Sequence, residues 1–474
     1  MKQFRYLSII VFVALAHSAH AQIDNSMFFM DRLPQANLIN PAQEPQVGWF
    51  LSGAMLPVVG QVPPPLTIAV NTPLSWHDVI FRGRGMYRDS LISFMHPSYN
   101  VENFTNKLHK NNFFVTNFDV NLLYFGFRQK ENYWTFDITT RVNSFINIPG
   151  DLLKFAILGN GAMRRADISG LSVNATVYNQ IGVGFERKLP MDFTMGVRAK
   201  FLMGAANVSN AKGNVTIRTE ENTNALSVMA NYEVRTNLPL EVSYTDNGNV
   251  DLGNIKFGKM SISGNSGAAI DLGVSKKINE QISVYASMID FGFIHWRRNV
   301  NRIALRGEGL TFEGAEISLN PFKLEFPDFD SLFNTFSIDH SEDSYITTLP
   351  FQIYVGGHYQ FTEIVGAGLL AHLQKRPLGI APAFTASLDV RPFKFGIASF
   401  TYSYMNRNFT NMGLAYTLRV GPVQWYFVSD NVLGNLLFPA RTRSVSARFG
   451  CNVVFNRNDG ENYSQKRVKH TARM

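Results

Sequence analysis

Two histidines and a carboxylate, His358, His372 and Asp389, are the side chains of this sequence best suited to acid–base chemistry. Hydrolytic catalysis needs a nucleophile, a base and an orienting group within hydrogen-bond reach, and these three residues fall on segments read below as neighbouring strands. No Gly-x-Ser-x-Gly, His-Glu-x-x-His or phosphate-loop pattern accompanies them. A metal would need a third ligand, and the sequence sets none beside the two histidines. The chain is therefore read as a non-enzyme, with no catalytic residue, no metal and no cofactor. The histidines are expected to hydrogen-bond in a polar interior or to stand in an interfacial belt.

A second set of residues points to electrostatic work. Arg141, Arg198, Lys200, Arg235, Arg391 and Arg448 alternate with apolar neighbours along their segments, as do Asp119, Asp137, Glu186, Asp271 and Asp389. Charges of both signs on one face suit a wall of hydrogen-bonded ion pairs, not a ring selective for anions or cations. Asp137, Arg141, Arg198, Lys200, Asp389 and Arg391 are the expected members of that network. Cys451, the single cysteine, excludes an intramolecular disulfide and sits among alternating hydrophobes as a passive apolar-face residue.

Such side chains have to be held by strands. From Ser169 to Met203 two segments alternate strictly, joined by the turn Glu186 to Met191. Leu171, Val173, Ala175, Val177, Ile181, Val183 and Phe185 share one face of the first, and Phe193, Met195, Val197, Ala199, Phe201 and Met203 one face of the second. Soluble strands run to about 5–6 residues, whereas a tilted strand crossing a bilayer needs roughly 9–11. The hairpin reads as part of a transmembrane barrel, and segments with the same rhythm recur to Phe455. The fold expected is all-β: an antiparallel up-and-down transmembrane β-barrel of about 14 strands, or alternatively 16, within the range of bacterial barrels. Leu226 to Arg235 and Asn301 to Ile317 are counted among the wall strands, and Gly213 to Glu220 as a strand of its own. Asn237 to Asn265 and Asn320 to Ser344 are the long loops, the first with room for a short hairpin, and Pro149 to Leu158 is a short helix ended by Gly159. Trp134, Trp296 and Trp425 are placed in interfacial girdles.

Composition agrees. Charged residues make up 17% of the chain, below the ~25% of an average soluble domain, and aromatics 13%. No run of about 18 apolar residues follows the start of the chain, so a membrane would be crossed by a closed barrel. The basic start Met1 to Tyr6, the apolar run Leu7 to Ala16 and Ala19-His20-Ala21 read as a secretory signal peptide over 1–21. Residues 22–46 are apolar yet broken by Pro34 and by Asn40-Pro41, which suits a plug or hatch sheltered inside the barrel. Phe28, Phe29, Leu33, Asn40 and Pro41 are its expected contacts with a ligand or the lumen. The wall is set at 47–455 and a polar basic tail at 456–474. The net charge of +8 is concentrated partly in that tail, at Arg457, Lys466, Arg467, Lys469 and Arg473, and is read as a solvated surface near lipid head groups, not as a nucleic-acid site.

Arg448-Phe449-Gly450-Cys451-Asn452-Val453-Val454-Phe455 resembles the barrel-assembly signal of outer-membrane proteins. Phe29 to Ala42 resembles the N-terminus of an uncharacterised Bacteroidetes-type outer-membrane family known only as a domain of unknown function. Gly159-Asn160-Gly161, Arg198 to Gly204, Asp290 to Trp296 and Ser429-Asp430-Asn431 are similar stretches. Asn40-Pro41-Ala42 is also similar to the N-terminal element of FadL-type channels and of PorV- and PorP-like barrels of type IX secretion. The first likeness implies a passive outer-membrane channel for small hydrophobic molecules, gated by the plug. The second implies a non-transporting scaffold or accessory of a secretion or gliding-like system. The partners implied are outer-membrane lipid, the barrel-assembly machinery, and either a small hydrophobic ligand or a secretion-system protein.

Overall fold

The computed structural model describes residues 25–54, 65–221, 225–244, 250–257, 264–312, 316–319, 322–325, 337–393, 396–405 and 408–455. The signal peptide, the start of the mature chain at Gln22 and the basic tail lie outside the described residues.

The wall begins with two short pieces, β1 (Trp49–Ser52) and β2 (Leu66–Asn71). Both pair antiparallel with β3 (Asn111–Gln129), so together they act as one strand. β4 (Asn132–Pro149), β5 (Ser172–Leu189) and β6 (Phe193–Thr219) follow as successive neighbours. β6 is 27 residues long. Its far end pairs with β7 (Leu226–Thr236), and its near end with β8 (Ser266–Lys277). β9 (Ile282–Trp296) pairs with β8, while β10 (Asn301–Phe312) returns to β7 and carries β11 (Ser337–Ser341) on its other side. β12 (Tyr345–Thr348) and β13 (Gln352–Gln360) share β9 as their neighbour. From there β14 (Val365–Arg376), β15 (Gly379–Phe393), β16 (Gly396–Met405), β17 (Asn408–Val420), β18 (Val423–Ser429) and β19 (Ser444–Phe455) each pair with the strand before. β19 closes on β1 and β2. The result is a closed antiparallel barrel of 14 strands, counting each split strand once.

Three sequence expectations are corrected here. Gly213 to Glu220 is not a separate strand but the continuation of β6. β7 and β10 are not wall strands: they pair with each other and with the overhanging end of β6, forming a lobe beyond the rim. Alternation shows that a strand has two unlike faces but not which neighbour it takes. Trp296 is fully buried inside, its indole N–H donating to Thr347 Oγ1 at 2.8 Å, so it belongs to no girdle. Trp425 does face outward, 41% exposed. The short hairpin allowed for in the loop after Asn237 is present, with Leu240–Tyr244 against Val250–Phe257. The helix after Pro149 spans Gly150–Ala162 and turns at Gly159, whose φ of +76° a side-chain-bearing residue rarely adopts.

The alternation is read out as expected on the two faces of the wall. Phe201, Phe291, Leu369, Phe384 and Phe400 are exposed on the outer face. Arg198, Lys200, Asp271 and Asp389 are buried on the inner one. A closed wall showing a continuous apolar exterior is stable in hydrocarbon and unfavourable in water. Among the described residues no helix is long and apolar enough to cross a membrane.

Candidate functional site: the plugged lumen

Asn25 to Gln43 occupies the barrel interior, and nearly every side chain in it is buried. Prolines and an Asn-Pro turn keep it from joining the sheet, so its backbone groups bond mainly within its own turns, as Met30 N–H to the Met27 carbonyl and Gln43 N–H to that of Asn40, and at a few points to the wall. At one end the backbone amides of Asn25 and Ser26 donate to the Asp430 carboxylate at 3.3 and 2.7 Å, and Ser26 Oγ lies 2.6 Å from Thr401 Oγ1. Gln424 donates to the Arg32 carbonyl at 2.8 Å, and Arg32 to that of Gly396 at 3.0 Å. A 3-10 turn, Pro34–Leu38, then carries Gln35 into a reciprocal amide pair with Asn452 at 2.6 and 2.9 Å. In the Asn40-Pro41-Ala42 turn, Asn40 Oδ1 accepts from the Ala42 amide at 3.0 Å. That turn is pressed onto two wall glycines: a Cβ at Gly196 would strike the Pro41 carbonyl, and one at Gly273 would strike Asn40 Oδ1. Beyond it Glu44 pairs with Arg128 and, at 2.6 Å, with Lys188.

The segment meets two unlike halves of the wall. On one, Met27, Phe28, Phe29, Met30, Leu33 and Ile39 form a single cluster with the inward residues Ile289, Tyr354, Leu370, Ile397, Tyr426 and Val428. Phe28 stacks on Tyr354 with ring centres 5.6 Å apart, and Phe29 sits 5.7 Å from the His358 ring. Burying each such side chain is worth about 1.5–3 kcal/mol.

On the other half lies a ladder of charges. Asp119 faces Arg141 at 3.9 Å, Arg141 reaches Asp290 at 2.8 Å, and Asp290 shares Lys200 at 2.6 Å with Asp271 at 2.7 Å. Asp271 continues to Arg198 at 3.8 Å and Arg198 to Asp137 at 3.4 Å. Arg198 also donates to Asn37, at 2.6 Å to its Oδ1 and 3.3 Å to its carbonyl, which ties the ladder to the inner segment. Glu186 accepts from Asn37 Nδ2 at 3.2 Å.

Of the six residues expected in one network, Asp137, Arg141, Arg198 and Lys200 come together. Asp389 and Arg391 do not: on β15 they face the opposite half. Asp389 accepts from His358 Nε2 at 3.0 Å and from Ser387 at 3.1 Å, and Arg391 reaches Asp31 at 3.3 Å and Gln360 at 2.8 Å. Periodicity places residues on the inner face without saying how far apart around the circumference they are. The residue missed is Asp290. Between Ile270 and Leu272 of β8 the register slips, so that Ile289 and Asp290 both turn inward and Asp290 takes φ +59°. The signal was present: Val284 and then Phe291 face out, an odd spacing that unbroken alternation forbids.

His358 and His372 do not form a catalytic unit. His372 Nε2 bonds Gln352 Oε1 at 3.0 Å and its ring stacks on Tyr354 at 4.2 Å. Ser387 donates to the Asp389 carboxylate, and among the described residues no hydrogen bond joins Ser387 to His358. Among the described residues no cluster of three metal-ligating side chains occurs. Between the inner segment and the ladder lies one cavity of about 70 Å³, bordered by Gln35, Asp119, Arg141, Asp290, Gln374 and Arg448 among others.

Fold and interior together define a membrane-spanning barrel whose lumen is filled by the chain's own N-terminal segment. Residues 54–430 match a family of unknown function (DUF5723), and the chain belongs to that family. No curated protein matches it. Among solved structures it is similar to the toluene transporter TbuX of Ralstonia pickettii, with 8% identity, a TM-score of 0.41, and coverage of 89% of this chain and 94% of that one. A FadL homologue of Pseudomonas aeruginosa gives 9%, 0.37, 88% and 91%, and the toluene transporter TodX of Pseudomonas putida 10%, 0.35, 88% and 92%. Likenesses at this level carry no argument beyond themselves, and the barrel rests on its own strand pairing.

Proposed function

We propose that the protein is an outer-membrane channel for small hydrophobic molecules, closed in this structure by the N-terminal segment and opened when that segment leaves the wall. The observation that carries this reading is the apolar patch of Ile289, Tyr354, Leu370, Ile397 and Val428, the one inward apolar cluster of the wall that Phe28, Phe29 and Leu33 join; the clusters around Trp296 and around Phe50 do not include them. Phe28, Phe29 and Leu33 cover it as a tethered stand-in for an apolar solute, while Asn40 and Pro41 seat the turn that holds them. Residues 22–46 are then the moving part and 47–455 the conduit, inserted into lipid by the barrel-assembly machinery.

The test is a tether. With Cys451 first replaced by Ala, Ser26→Cys and Thr401→Cys place two thiols where the hydroxyls now lie 2.6 Å apart. Oxidation should abolish uptake of radiolabelled naphthalene by expressing cells, and reduction should restore it. Equal uptake in both states, with the disulfide verified, would sink the gating reading.

A second reading is favoured by a different observation. The segment is hydrogen-bonded to the wall at both ends. A barrel permanently sealed in this way suits a scaffold or accessory of a secretion or gliding-like system. If deletion of residues 25–43 leaves uptake at background in a folded barrel, this second reading stands.

A further inference from the structure

The cavity beside the inner segment has a chemistry unlike that of the apolar cluster. Asn117 and Asn143 stand directly opposite each other on β3 and β4, and Asn121 lies two repeats of the pleat further along. Gln352 and Gln374 approach from β13 and β14, on the far side of the lumen. Five amides therefore converge on one space from two sides. Gln352 Oε1 is already engaged by Tyr354 and His372, and Gln374 Oε1 by Arg376; the five amides together still give the lining both donors and acceptors, a mixture that a hydroxyl group, itself donor and acceptor, satisfies best. Asn121 Oδ1 is buried and has no partner among the described residues, although its Nδ2 donates to Thr139 at 3.1 Å.

The charges at the rim of the cavity cancel. Asp119 and Asp290 are matched by Arg141 and Arg448, and Asp290 is already engaged by Arg141 and Lys200. An ion entering here would meet its own sign as readily as the opposite one. Tyr426 and Ile289 add apolar surface suited to the C–H face of a polyol. The volume, about 70 Å³, is room for roughly five waters at ~10–15 Å³ each, the scale of a small polyol and not of an oligosaccharide.

We propose that this cavity is a binding site for a small, uncharged polyhydroxylated solute. It goes beyond the channel reading and does not rest on it, because the site is complete with the inner segment seated and Gln35 of that segment forms part of its border. The experiment is saturation-transfer NMR on the purified full chain in a sugar-free detergent, with glycerol, erythritol and myo-inositol as probes and acetate, methylammonium and benzene as controls. At least one polyol should show transfer and compete with the others. Asn117→Leu or Asn143→Leu should weaken it at least tenfold while the barrel keeps its folded, heat-modifiable mobility on gels. Gln374→Leu, on the opposite wall, should do the same and serves should either of the first two fail to fold. The proposal is overturned if no polyol shows transfer and the cavity holds water only, if acetate or methylammonium binds in their place, or if the signal is unchanged by the variants. A tether that has no effect on uptake would refute the channel and leave this result as it is.

Discussion

Arg198→Met is the perturbation that most directly probes how the charged half of the lumen is built. Arg198 is 1% exposed; it donates to Asn37 and, at 3.2 Å, to Thr135, and it stands between the fully buried Asp137 and Asp271. With Arg448, which acts on Asp119, the ladder has four carboxylates, Asp119, Asp137, Asp271 and Asp290, against four cations, Arg141, Arg198, Lys200 and Arg448. Its formal charges balance. Removing Arg198 leaves one negative charge in excess, and leaves Asp137 with only the Gln180 amide at 2.6 Å and a weak contact from Thr139. Breaking a buried pair by deleting one partner costs roughly 3–5 kcal/mol, chiefly because the orphaned charge stays buried. Adding Asp137→Asn to Arg198→Met restores the balance of charge, so the double variant should recover at least about 1 kcal/mol relative to the single one. Equilibrium urea unfolding of the barrel in bilayers, followed by gel mobility, measures both. The argument fails if Arg198→Met lies within about 1 kcal/mol of the parent, or if the double variant is no more stable than the single one.

Three further outcomes are expected. Gly273→Ala places a methyl group against Asn40 Oδ1, so it should expel the Asn40-Pro41-Ala42 turn and expose residues 25–46 to protease while the wall stays resistant; equal resistance in parent and variant would show that the turn is not seated there. In the loop between β2 and β3, burial alone would raise the Asp78 pKa, but hydrogen bonds from Lys107 at 2.8 Å and from the Ser75 hydroxyl and amide at 2.7 and 2.8 Å hold it below its ordinary 3.8. A lowered carboxylate pKa stabilises fully above the unfolded value and is lost as pH falls through the folded one, so pepsin, with its rate on an unfolded peptide at each pH divided out, should nick the 72–110 loop more readily at about pH 2 than at about pH 5. On the same relative scale Asp78→Asn should be nicked alike at both. Brominated acyl chains should quench a single-tryptophan variant retaining Trp425 and spare one retaining Trp296, which is enclosed with Tyr345 and Thr347; the reverse would place the two residues on the wrong faces.

The sequence carried the class of fold and the inner face of individual strands, because both are local properties. A period of two put Arg198 and Lys200 opposite Phe201 with no knowledge of any neighbour. Partners were another matter. Asp389 and Arg391 have the same signature as Arg198, yet they face the apolar half, since position around a barrel depends on every strand between. β7 and β10 alternate like wall strands and left the wall because the long β6 offered them an edge beyond the rim. Asp290 was hidden by a bulge, which reverses the faces of everything after it. The inner segment was legible for the opposite reason: a stretch too apolar for water and too broken for a sheet has few places to go.

The division of the interior into two halves has a mechanical consequence. Ion pairs and hydrogen bonds link the inner faces of β3, β4, β6, β8 and β9 directly, strand to strand, so that arc of the wall is braced by its own side chains. The arc from β13 to β18 has separate side-chain links, such as His358 to Asp389, Arg391 to Gln360 and Thr385 to Ser403, but no continuous chain of ion pairs, and it packs against Phe28, Phe29, Leu33 and their neighbours. The barrel thus has a stiff side and a compliant side. Without those contacts the cross-section would lose its roundness chiefly on the compliant side, at Tyr354, Leu370 and Ile397, while the braced arc kept its curvature.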